Sequence, residues 1–179
     1  MTNIELKAIA SKIKLIAFDV DGVMTDSSLT FDENGVEYKT YNVKDGQGVI
    51  LIHKAGIKTA IITARNNGTV THRAKVLGIL EVHQGQKNKA LTMDEIVAKY
   101  NLSYDEVAYM GDDIPDIETL KKIGLPCCPA DAVDEVLAVC KFISTKGGGK
   151  GAVRELCDFI LKSKSVDSAK KDKVRTGEI

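Results

Sequence analysis

The chain reads Leu15-Ile16-Ala17-Phe18-Asp19-Val20-Asp21-Gly22 near its amino terminus, so four apolar residues lead directly into two aspartates and a glycine. An unbroken apolar run of this length is typical of a strand that is buried on both faces of a parallel sheet. Similar runs recur at 59–62 and 107–110, with a weaker one at 125–128, and helical patterns that often end at glycine lie between them. This alternation predicts an α/β domain with a doubly wound, Rossmann-like parallel sheet.

One segment, at about residues 28–43, interrupts the alternation. Two short stretches of period-2 pattern flank Asp32-Glu33-Asn34-Gly35, and Asn-Gly between such stretches is a strong hairpin signal. A two-stranded arm is only marginally stable by itself. We therefore expect a protruding β-hairpin whose Phe31, Tyr38 and Tyr41 pack against something else, such as another subunit.

The length and composition favour one compact domain over residues 1–162. With 179 residues and 44% apolar content, the chain is long enough to bury a core. Residues 163–179 are charged and lack apolar periodicity, which predicts a disordered tail. The amino terminus carries charges at short intervals, and no apolar run approaches the length of a membrane span. We therefore expect a cytoplasmic protein without membrane association.

The overall charge excludes several classes of partner. Lys and Arg together number 25, as do Asp and Glu, so no net field draws the protein to nucleic acid or to an anionic membrane. The four cysteines lack the spacing of a zinc site or a redox pair, and we expect them to be free thiols. The three histidines match no metal or triad spacing. Any charge-based chemistry must therefore be local.

Polar residues stand just beyond the predicted strands. They are Asp19 and Asp21 after the first, Thr63 and Arg65 after the second, and Asp112, Asp113 and Asp116 after the strand at 107–110, while Lys89 lies near the start of a helix. Ligands of an open parallel sheet bind beyond the carboxyl ends of its strands, so we expect these side chains to converge. Several carboxylates in one crevice repel each other unless a cation lies among them. Oxygen ligands of this kind favour Mg²⁺.

Each of these residues has an ordinary structural interpretation when it is taken alone. An aspartate or threonine after a strand is commonly a helix cap or a turn former, and a lysine on a helix is commonly solvated. The functional interpretation depends on all of them occurring in one chain, each at the same edge of the predicted sheet.

In this order the residues resemble the haloacid dehalogenase superfamily. Its signature is DxDx[T/V], then Ser or Thr, then Lys, then an acidic pair, and the matching residues are Asp19-Val20-Asp21-Gly22-Val23, Thr63, Lys89 and Gly111-Asp112-Asp113 with Asp116. The resemblance implies that Asp19 attacks phosphorus and forms an aspartyl phosphate, with Asp21 as general acid and then general base. It also implies a Mg²⁺ ion held by Asp19, Asp112 and the backbone carbonyl of Asp21.

The same resemblance implies supporting roles for other residues. Thr63 and Lys89 would hold the remaining phosphoryl oxygens, and Asp113 and Asp116 would orient Lys89 or metal-bound water. The intervals from Asp19 to Thr63 and from Thr63 to Lys89 are too short for the cap domain that many members insert there. Because a capless site is open to water, we expect a neighbouring subunit, joined through the hairpin, to cover it.

A longer set of motifs resembles the 3-deoxy-D-manno-octulosonate 8-phosphate phosphatase family. The motifs are Lys44-Asp45-Gly46-Gln47-Gly48, Thr63-Ala64-Arg65, residues 84–89 and the glycine-rich segment 147–155. The resemblance implies a homotetramer that acts on an acidic sugar phosphate in lipopolysaccharide precursor synthesis. That family commonly has Gly at the position of Ala64. Arg65 favours the eight-carbon substrate over the nine-carbon substrates of sialic-type relatives.

An acidic sugar phosphate needs cations for both its carboxylate and its phosphate. The candidate substrate-binding residues are Arg65, Arg73, Lys44, Lys146 and Lys150. The glycines at 147–149 and 151 would let their loop fold over a ligand as a lid. The ordinary alternatives are a solvated glycine-rich loop for Lys146 and Lys150, and a helix-surface position for Arg73.

Three alternatives to this function stay open. One is a phosphatase of nine-carbon sialic-type sugar acid 9-phosphates, which would use the same chemistry. Another is a phosphoacceptor signalling module, in which the acceptor aspartate lies on a middle strand rather than on the first. The third is a noncatalytic tetramerisation module, which the intact set of candidate acids and Lys89 disfavours.

Overall fold

The structure, a computed structural model, describes the backbone of residues 1–176 and the side chains of residues 1–165. The strands are β1 Leu15–Phe18, β2 Thr30–Phe31, β3 Glu37–Tyr38, β4 Lys58–Ile62, β5 Glu81–His83, β6 Val107–Met110, β7 Leu125–Cys128 and β8 Phe142–Ile143. The helices are α1 Asn3–Ala10, α2 Val43–Lys54, α3 Gly68–Leu77, α4 Lys89–Lys99, α5 Ile117–Lys122, α6 Asp134–Leu137 and α7 Ala152–Thr176. Two 3₁₀ turns, Tyr104–Glu106 and Ile114–Asp116, precede β6 and α5. No helix in this described part of the chain combines the length and the apolar character that crossing a bilayer needs.

Six strands form a parallel sheet in the order β5-β4-β1-β6-β7-β8. β1 lies between β4 and β6, and Phe18 is in register with Ile61 on one side and with Met110 on the other. The carboxyl ends of these three strands therefore lie side by side at one edge of the sheet. The predicted doubly wound parallel sheet is confirmed.

Helices cover both faces of this sheet. Ile16 and Phe18 pack into one apolar cluster with residues of α1, α2, α3 and α7, whereas Leu15 and Ala17 pack into a second cluster with residues of α4, α5 and α6. Successive side chains of a strand point to opposite faces, so a strand buried on both faces must be apolar throughout. This requirement explains the unbroken apolar runs in the sequence.

Three helices that follow the carboxyl edge of the sheet begin at asparagine. The side-chain oxygens of Asn42, Asn67 and Asn88 each accept a hydrogen bond from a backbone N–H in the first turn of α2, α3 and α4, respectively. Such N-caps satisfy N–H groups that the helix itself leaves unpaired, and they fix where each helix begins. The loops between the strand ends and these helices are therefore held in place.

The hairpin is formed by β2 and β3, which pair antiparallel with Thr30 opposite Tyr38. Asp32 closes its turn, because Oδ1 of Asp32 accepts a hydrogen bond from the backbone N–H of Val36 at 2.8 Å. Gly35 in the same turn has φ 77°, a conformation that glycine adopts without strain. The predicted hairpin is confirmed.

The aromatic residues of the hairpin have different surroundings. Tyr41 packs against the apolar cluster that contains Phe18. Phe31 and Tyr38 are 53% and 55% exposed. Of these three aromatic residues, Tyr41 therefore contacts the core of its own chain, while Phe31 and Tyr38 face outward.

The described residues contain no cap domain. Between β1 and β4 the chain forms only the hairpin and α2, and between β4 and α4 it forms only α3 and β5. The predicted capless arrangement is confirmed, so the carboxyl edge of the sheet is open on this side.

α7 extends to Thr176 and so enters the segment for which the sequence predicts a disordered tail. Ser163 is buried, and Lys164 Nζ donates a hydrogen bond to the backbone oxygen of Ser11 at 2.8 Å. No glycine or proline interrupts the chain from Ala152 to Thr176, so nothing in the backbone ends the helix earlier. The packed part of the chain thus includes Ser163 and Lys164, and residues 177–179 of the predicted tail lie outside the described residues.

Candidate active site

The carboxyl ends of β1, β4 and β6 surround a space of about 250 Å³, called the acidic cavity below. Its lining includes eight predicted site residues: Asp19, Asp21, Thr63, Arg65, Lys89, Asp112, Asp113 and Asp116. Thr63 is buried at the end of β4. The structure thus brings together the polar residues that follow three neighbouring strands, as the parallel topology requires.

Lys89 is a buried cation of this cavity. Its side chain is 3% exposed, and its Nζ donates to Asp19 Oδ2 at 2.6 Å and to Asp116 Oδ1 at 2.7 Å. Burial disfavours the ammonium, but the two carboxylates outweigh burial and raise the pKa of Lys89. Burial raises the pKa of Asp19 to about 6, against the opposing effect of Lys89. Lys89 therefore stays charged beside a carboxylate that is poorly solvated.

Asp116 anchors this arrangement. The residue is fully buried, and its Oδ1 also accepts a hydrogen bond from the hydroxyl of Tyr109 at 2.6 Å. Its Oδ2 accepts hydrogen bonds from the backbone N–H groups of Asp112 and Asp113 at 3.0 and 3.3 Å. Because both oxygens are engaged, Asp116 fixes Lys89 and the loop after β6.

Asp112 differs from Asp116 because one of its oxygens is buried without a partner. Oδ1 of Asp112 forms no hydrogen bond within the described part of the structure. Asp19, Asp112 and Asp116 each offer a carboxylate oxygen, and these oxygens lie within 4.8 Å of one another. Burial, Asp19 and Asp116 raise the pKa of Asp112 to about 8. An unpaired carboxylate oxygen among other carboxylates fits a divalent cation, and the all-oxygen donor set fits Mg²⁺.

Gly22 allows Asp112 to approach the loop after β1. A Cβ atom at position 22 would lie 1.8 Å from Asp112 Oδ2, and Gly22 has φ 81°. The close contact and the left-handed backbone conformation both require glycine. The glycine that follows Asp21 thus lets the acid after β6 pack against the loop that carries Asp19.

Asp21 is held by a lysine that is absent from the sequence-based predictions. Lys39 directly follows β3, its side chain is 1% exposed, and its Nζ contacts Asp21 Oδ1. The same Nζ donates to Glu37 Oε1 at 2.8 Å, and Arg65 Nη2 donates to Glu37 Oε2 at 2.7 Å. The hairpin is therefore connected to the acidic cavity by ion pairs that run from Arg65 through Glu37 and Lys39 to Asp21.

The alternation of side chains along the hairpin strand could have indicated that Lys39 faces inward. Residues i and i+2 of a strand face the same side, so Glu37 and Lys39 share one face and Tyr38 lies on the other. Tyr38 is 55% exposed, which leaves the charged pair on the inner face. The sequence contains this pattern, but it does not indicate which face of the arm meets the strand ends.

Three lysines that the sequence predicts to bind substrate lie elsewhere. Lys44, Lys146 and Lys150 line a second space of about 460 Å³, called the basic cavity below, which shares no lining residue with the acidic cavity. The packing of the glycine-rich loop is the reason: a Cβ atom on Gly148 would lie 1.9 Å from the backbone oxygen of Gly22. This loop packs against the backbone of the loop after β1, so within one chain it brings no lysine into the acidic cavity.

Arg73, also predicted to bind substrate, packs within the chain. Its Nη2 donates to the backbone oxygen of Asn42 at 3.0 Å, and its guanidinium lies over the ring of Tyr41 at 5.5 Å. Its Nε is buried and has no hydrogen-bond partner among the described residues. Arg73 does not line the acidic cavity.

Asp113 is the other acid for which the resemblance implies a role at Lys89 or at metal-bound water. The residue is exposed, and its Oδ1 accepts a hydrogen bond from the backbone N–H of Ile114 at 2.7 Å. Asp113 therefore caps the 3₁₀ turn at Ile114–Asp116. Of the two acids predicted to orient Lys89 or metal-bound water, Asp116 contacts Lys89, and the role of Asp113 stays a prediction.

The acidic cavity combines the groups that phosphoryl transfer needs. A poorly solvated carboxylate at Asp19 can act as a nucleophile, and the adjacent acid at Asp21 can move a proton. Lys89 places positive charge against Asp19, and the oxygens of Asp19 and Asp112 can hold a divalent cation. This set of groups can transfer a phosphoryl group to Asp19.

Comparison with known proteins agrees with this chemistry. A sequence profile of haloacid dehalogenase-like hydrolases matches residues 62–156. The 3-deoxy-D-manno-octulosonate 8-phosphate phosphatase KdsC of Escherichia coli (strain B / BL21-DE3) is 37% identical over 167 residues, which cover 93% of this chain and 89% of KdsC.

Two solved structures are similar over nearly the whole chain. The 3-deoxy-D-manno-octulosonate 8-phosphate phosphatase from Moraxella catarrhalis, in complex with a magnesium ion, a phosphate ion and a KDO molecule, has a TM-score of 0.90 at 36% identity, covering 97% of this chain and 99% of that one. The cobalt-bound deoxy-D-mannose-octulosonate 8-phosphate phosphatase (YrbI) from Haemophilus influenzae has a TM-score of 0.85 at 31% identity, covering 88% and 92%. The chain therefore belongs to the haloacid dehalogenase-like hydrolases, in the family of the 3-deoxy-D-manno-octulosonate 8-phosphate phosphatases.

Proposed function

We propose that this chain is a magnesium-dependent phosphatase that hydrolyses 3-deoxy-D-manno-octulosonate 8-phosphate to the free sugar acid and phosphate. The observation that carries the proposal is the unpaired, buried Oδ1 of Asp112 beside Asp19, in a chain whose family includes a structure with magnesium, phosphate and KDO. Asp19, Asp112 and the backbone carbonyl of Asp21 would hold the ion. When bound, Mg²⁺ supplies positive charge that offsets the charge on the phosphoryl oxygens.

In the first step, a carboxylate oxygen of Asp19 attacks phosphorus. The new O–P bond forms as the P–O bond to the sugar breaks, and Asp21 donates its proton to the departing sugar oxygen. Lys89, anchored by Asp116, keeps a positive charge against Asp19 while this happens. The products of the step are the free sugar acid and an aspartyl phosphate.

In the second step, water attacks the phosphorus of the aspartyl phosphate. Asp21, now ionised, takes a proton from this water, and the bond between phosphorus and Asp19 breaks. The hydroxyl group of Thr63, which lines the cavity at the end of β4, would hold a phosphoryl oxygen in both steps. Release of phosphate returns Asp19 to a carboxylate and Asp21 to an acid.

We propose that Arg65 binds the carboxylate group of the sugar acid. Its side chain is 41% exposed at the cavity, and Glu37 holds one side of its guanidinium. A guanidinium fixed in this way can pair with a carboxylate. We propose that Arg65 favours the eight-carbon substrate. A nine-carbon sialic-type sugar acid 9-phosphate is the second candidate, because it carries the same two anionic groups.

We also propose that the chain forms a homotetramer through the hairpin, so that subunits cover one another's acidic cavities. Leu29, Phe31, Val36 and Tyr38 are each more than half exposed on this short arm. Replacing Phe31 and Tyr38 by serine should lower the molar mass measured by light scattering. Leu80→Ser, which changes a residue 90% exposed outside the hairpin, should not. An unchanged mass in the hairpin variant would reject this interface.

The proposed substrate places the enzyme in lipopolysaccharide precursor synthesis, and we propose a cytoplasmic location. The four free cysteines are compatible with a reducing compartment. Fractionation of cells that produce the protein should recover it with cytoplasmic enzymes, and recovery in the membrane or periplasmic fraction would contradict this location.

Phosphate release from defined sugars tests the proposed function. With Mg²⁺, the wild-type protein should hydrolyse 3-deoxy-D-manno-octulosonate 8-phosphate with a higher kcat/KM than a nine-carbon sugar acid 9-phosphate. Chelation of the ion should stop turnover, and added Mg²⁺ should restore it. A higher kcat/KM for the nine-carbon sugar would select the second candidate, and no release from either sugar would reject the phosphatase.

A further inference from the structure

The hairpin places a buried lysine side chain against Asp21, one of the acids that line the acidic cavity. Lys39 has a side chain that is 1% exposed, although it comes from an arm whose two strands have only two residues each. Its Nζ contacts the carboxylates of Asp21 and Glu37. A buried ammonium is costly unless it is paired, so these two acids determine where Lys39 lies.

Glu37 anchors the ammonium group of Lys39, and the same ammonium group contacts Asp21. Glu37 is itself paired with Arg65, so the anchor of Lys39 does not depend on Asp21. Burial lowers the pKa of Lys39, but its hydrogen bonds to Asp21 and Glu37 outweigh burial and raise the pKa, so the donor stays charged. Lys39 contacts Oδ1 of Asp21, and Oδ2 of Asp21 has no hydrogen bond among the described residues. The hairpin thus fixes one oxygen of Asp21, while the other oxygen is free of hydrogen bonds to the described residues.

We infer that Lys39 is a positioning residue for proton transfer: from the hairpin, its ammonium holds Asp21 where the carboxyl group reaches the departing sugar oxygen. This inference rests on the proposed function and deepens it. As the bond from Asp19 to phosphorus forms and the P–O bond to the sugar breaks, the proton of Asp21 moves to the sugar oxygen. Lys39 itself neither gains nor loses an atom.

Two substrates that differ in their need for a proton test this inference. The sugar leaves as an alkoxide that needs a proton, whereas p-nitrophenolate leaves without one. In Lys39→Gln, kcat on 3-deoxy-D-manno-octulosonate 8-phosphate should fall about 100-fold with KM within about threefold, the usual scale of a general-acid contribution. With enzyme in excess over p-nitrophenyl phosphate, the first-turnover release of p-nitrophenolate reports attack by Asp19 alone, and its rate should stay within threefold of wild type.

A matched variant controls for the change in charge. Lys75→Gln alters an exposed lysine of α3 and should leave both rates at wild-type values. Retained release of p-nitrophenolate by Lys39→Gln also shows that this variant is folded.

The outcomes separate a positioning role from other roles. Equal slowing of both rates in Lys39→Gln would show that the lysine supports the whole site, and it would overturn the inference. So would an increased KM with unchanged kcat, because Lys39 would then bind substrate, and so would wild-type kinetics. If the wild-type protein itself releases no phosphate from the sugar, the proposed function fails instead, and the two failures are distinct.

Discussion

The acidic cavity and the basic cavity hold their lysines in opposite ways. Lys89 lines the acidic cavity, and Lys39 contacts Asp21 at the edge of this cavity; their side chains are 3% and 1% exposed, and each contacts two carboxylates. In the basic cavity, Lys44, Lys146 and Lys150 are exposed, and within the described residues their ammonium groups form no hydrogen bond or ion pair. A buried ammonium depends on its partners, whereas water screens an exposed one. Within one chain, Lys89 and Lys39 are therefore fixed by carboxylates of the acidic cavity and its edge, whereas substrate binding by Lys44, Lys146 and Lys150 stays a prediction.

Replacing Asp19, the proposed nucleophile, should cause the largest loss of activity. Asp19→Asn should lower kcat on the sugar phosphate by at least about 10³-fold, because the amide is a poor nucleophile toward phosphorus. Glu135→Gln changes an exposed acid outside both cavities and should keep wild-type turnover. Steady-state phosphate release gives kcat for both variants. A wild-type kcat in Asp19→Asn would contradict the covalent mechanism.

The contrast between buried and exposed lysines should also appear in stability. Lys89→Gln leaves the fully buried Asp116 without a cation, and removing one partner of a buried ion pair costs about 3–5 kcal/mol. For a chain of this size the loss corresponds to a Tm lower by roughly 10 °C. Lys146→Gln should change the Tm by no more than about 2 °C, because an exposed lysine contributes little. Thermal unfolding followed by circular dichroism measures the Tm of both variants. Similar decreases in Tm would contradict the distinction between the buried and the exposed lysines.

The unpaired acid of the acidic cavity predicts a dependence of stability on pH. Because the pKa is raised to about 8 at Asp112 and to about 6 at Asp19, the folded metal-free chain binds more protons than the unfolded chain from about pH 4 to pH 8. This contribution to stability is therefore present at the acid end and is lost as the pH rises. Mg²⁺ binds ionised carboxylates, so it should raise the Tm more at pH 8 than at pH 5.

Differential scanning calorimetry with and without Mg²⁺ measures this dependence. Asp112→Asn separates the contribution of Asp112 from that of the other acids, and in this variant the effect of Mg²⁺ on the Tm should largely disappear at both pH values. A larger Mg²⁺ effect at pH 5 than at pH 8 in the wild-type protein would contradict the assignment of Asp112 as an unpaired ligand.

The smallest effect is expected for Tyr109, a buried core residue that contacts Asp116 from behind the cavity lining. Tyr109→Phe removes one hydrogen bond to Asp116, which keeps Lys89 and two backbone N–H groups as donors. A hydrogen bond to a charged group contributes about 1.5 kcal/mol or somewhat more, so the Tm should fall by roughly 5 °C. Turnover should stay within about threefold of wild type. A much larger loss of turnover would show that Tyr109 alone holds Asp116 in place.

Much of the fold and the core of the site follow from the sequence, because they depend on strand periodicity. The run that ends in Asp19 must be a doubly buried strand, and in a parallel sheet its end lies beside the ends of its neighbours. This reasoning places Asp19, Thr63 and Asp112 at one edge, where the structure has them.

The remaining features depend on packing that periodicity does not determine. Lys39 contacts Asp21 because the inner face of the hairpin meets the end of β1, and an alternating strand pattern does not specify that orientation. Lys146 and Lys150 lie outside the acidic cavity of their own chain because Gly148, which has no side chain, lets the loop pack against Gly22. A glycine in the sequence indicates freedom of the backbone, but it does not indicate which neighbour that backbone will approach.

Binding of Mg²⁺, measured by isothermal titration calorimetry, tests most directly whether Asp112, with its buried and unpaired Oδ1, holds the ion. Wild-type protein is expected to bind one Mg²⁺ per chain at the acidic cavity. Asp113→Asn, which changes the exposed neighbouring acid, should bind the ion as the wild type does, whereas Asp112→Asn should show no measurable binding. Undiminished Mg²⁺ binding by Asp112→Asn would contradict the proposed metal site and the phosphoryl transfer built on it.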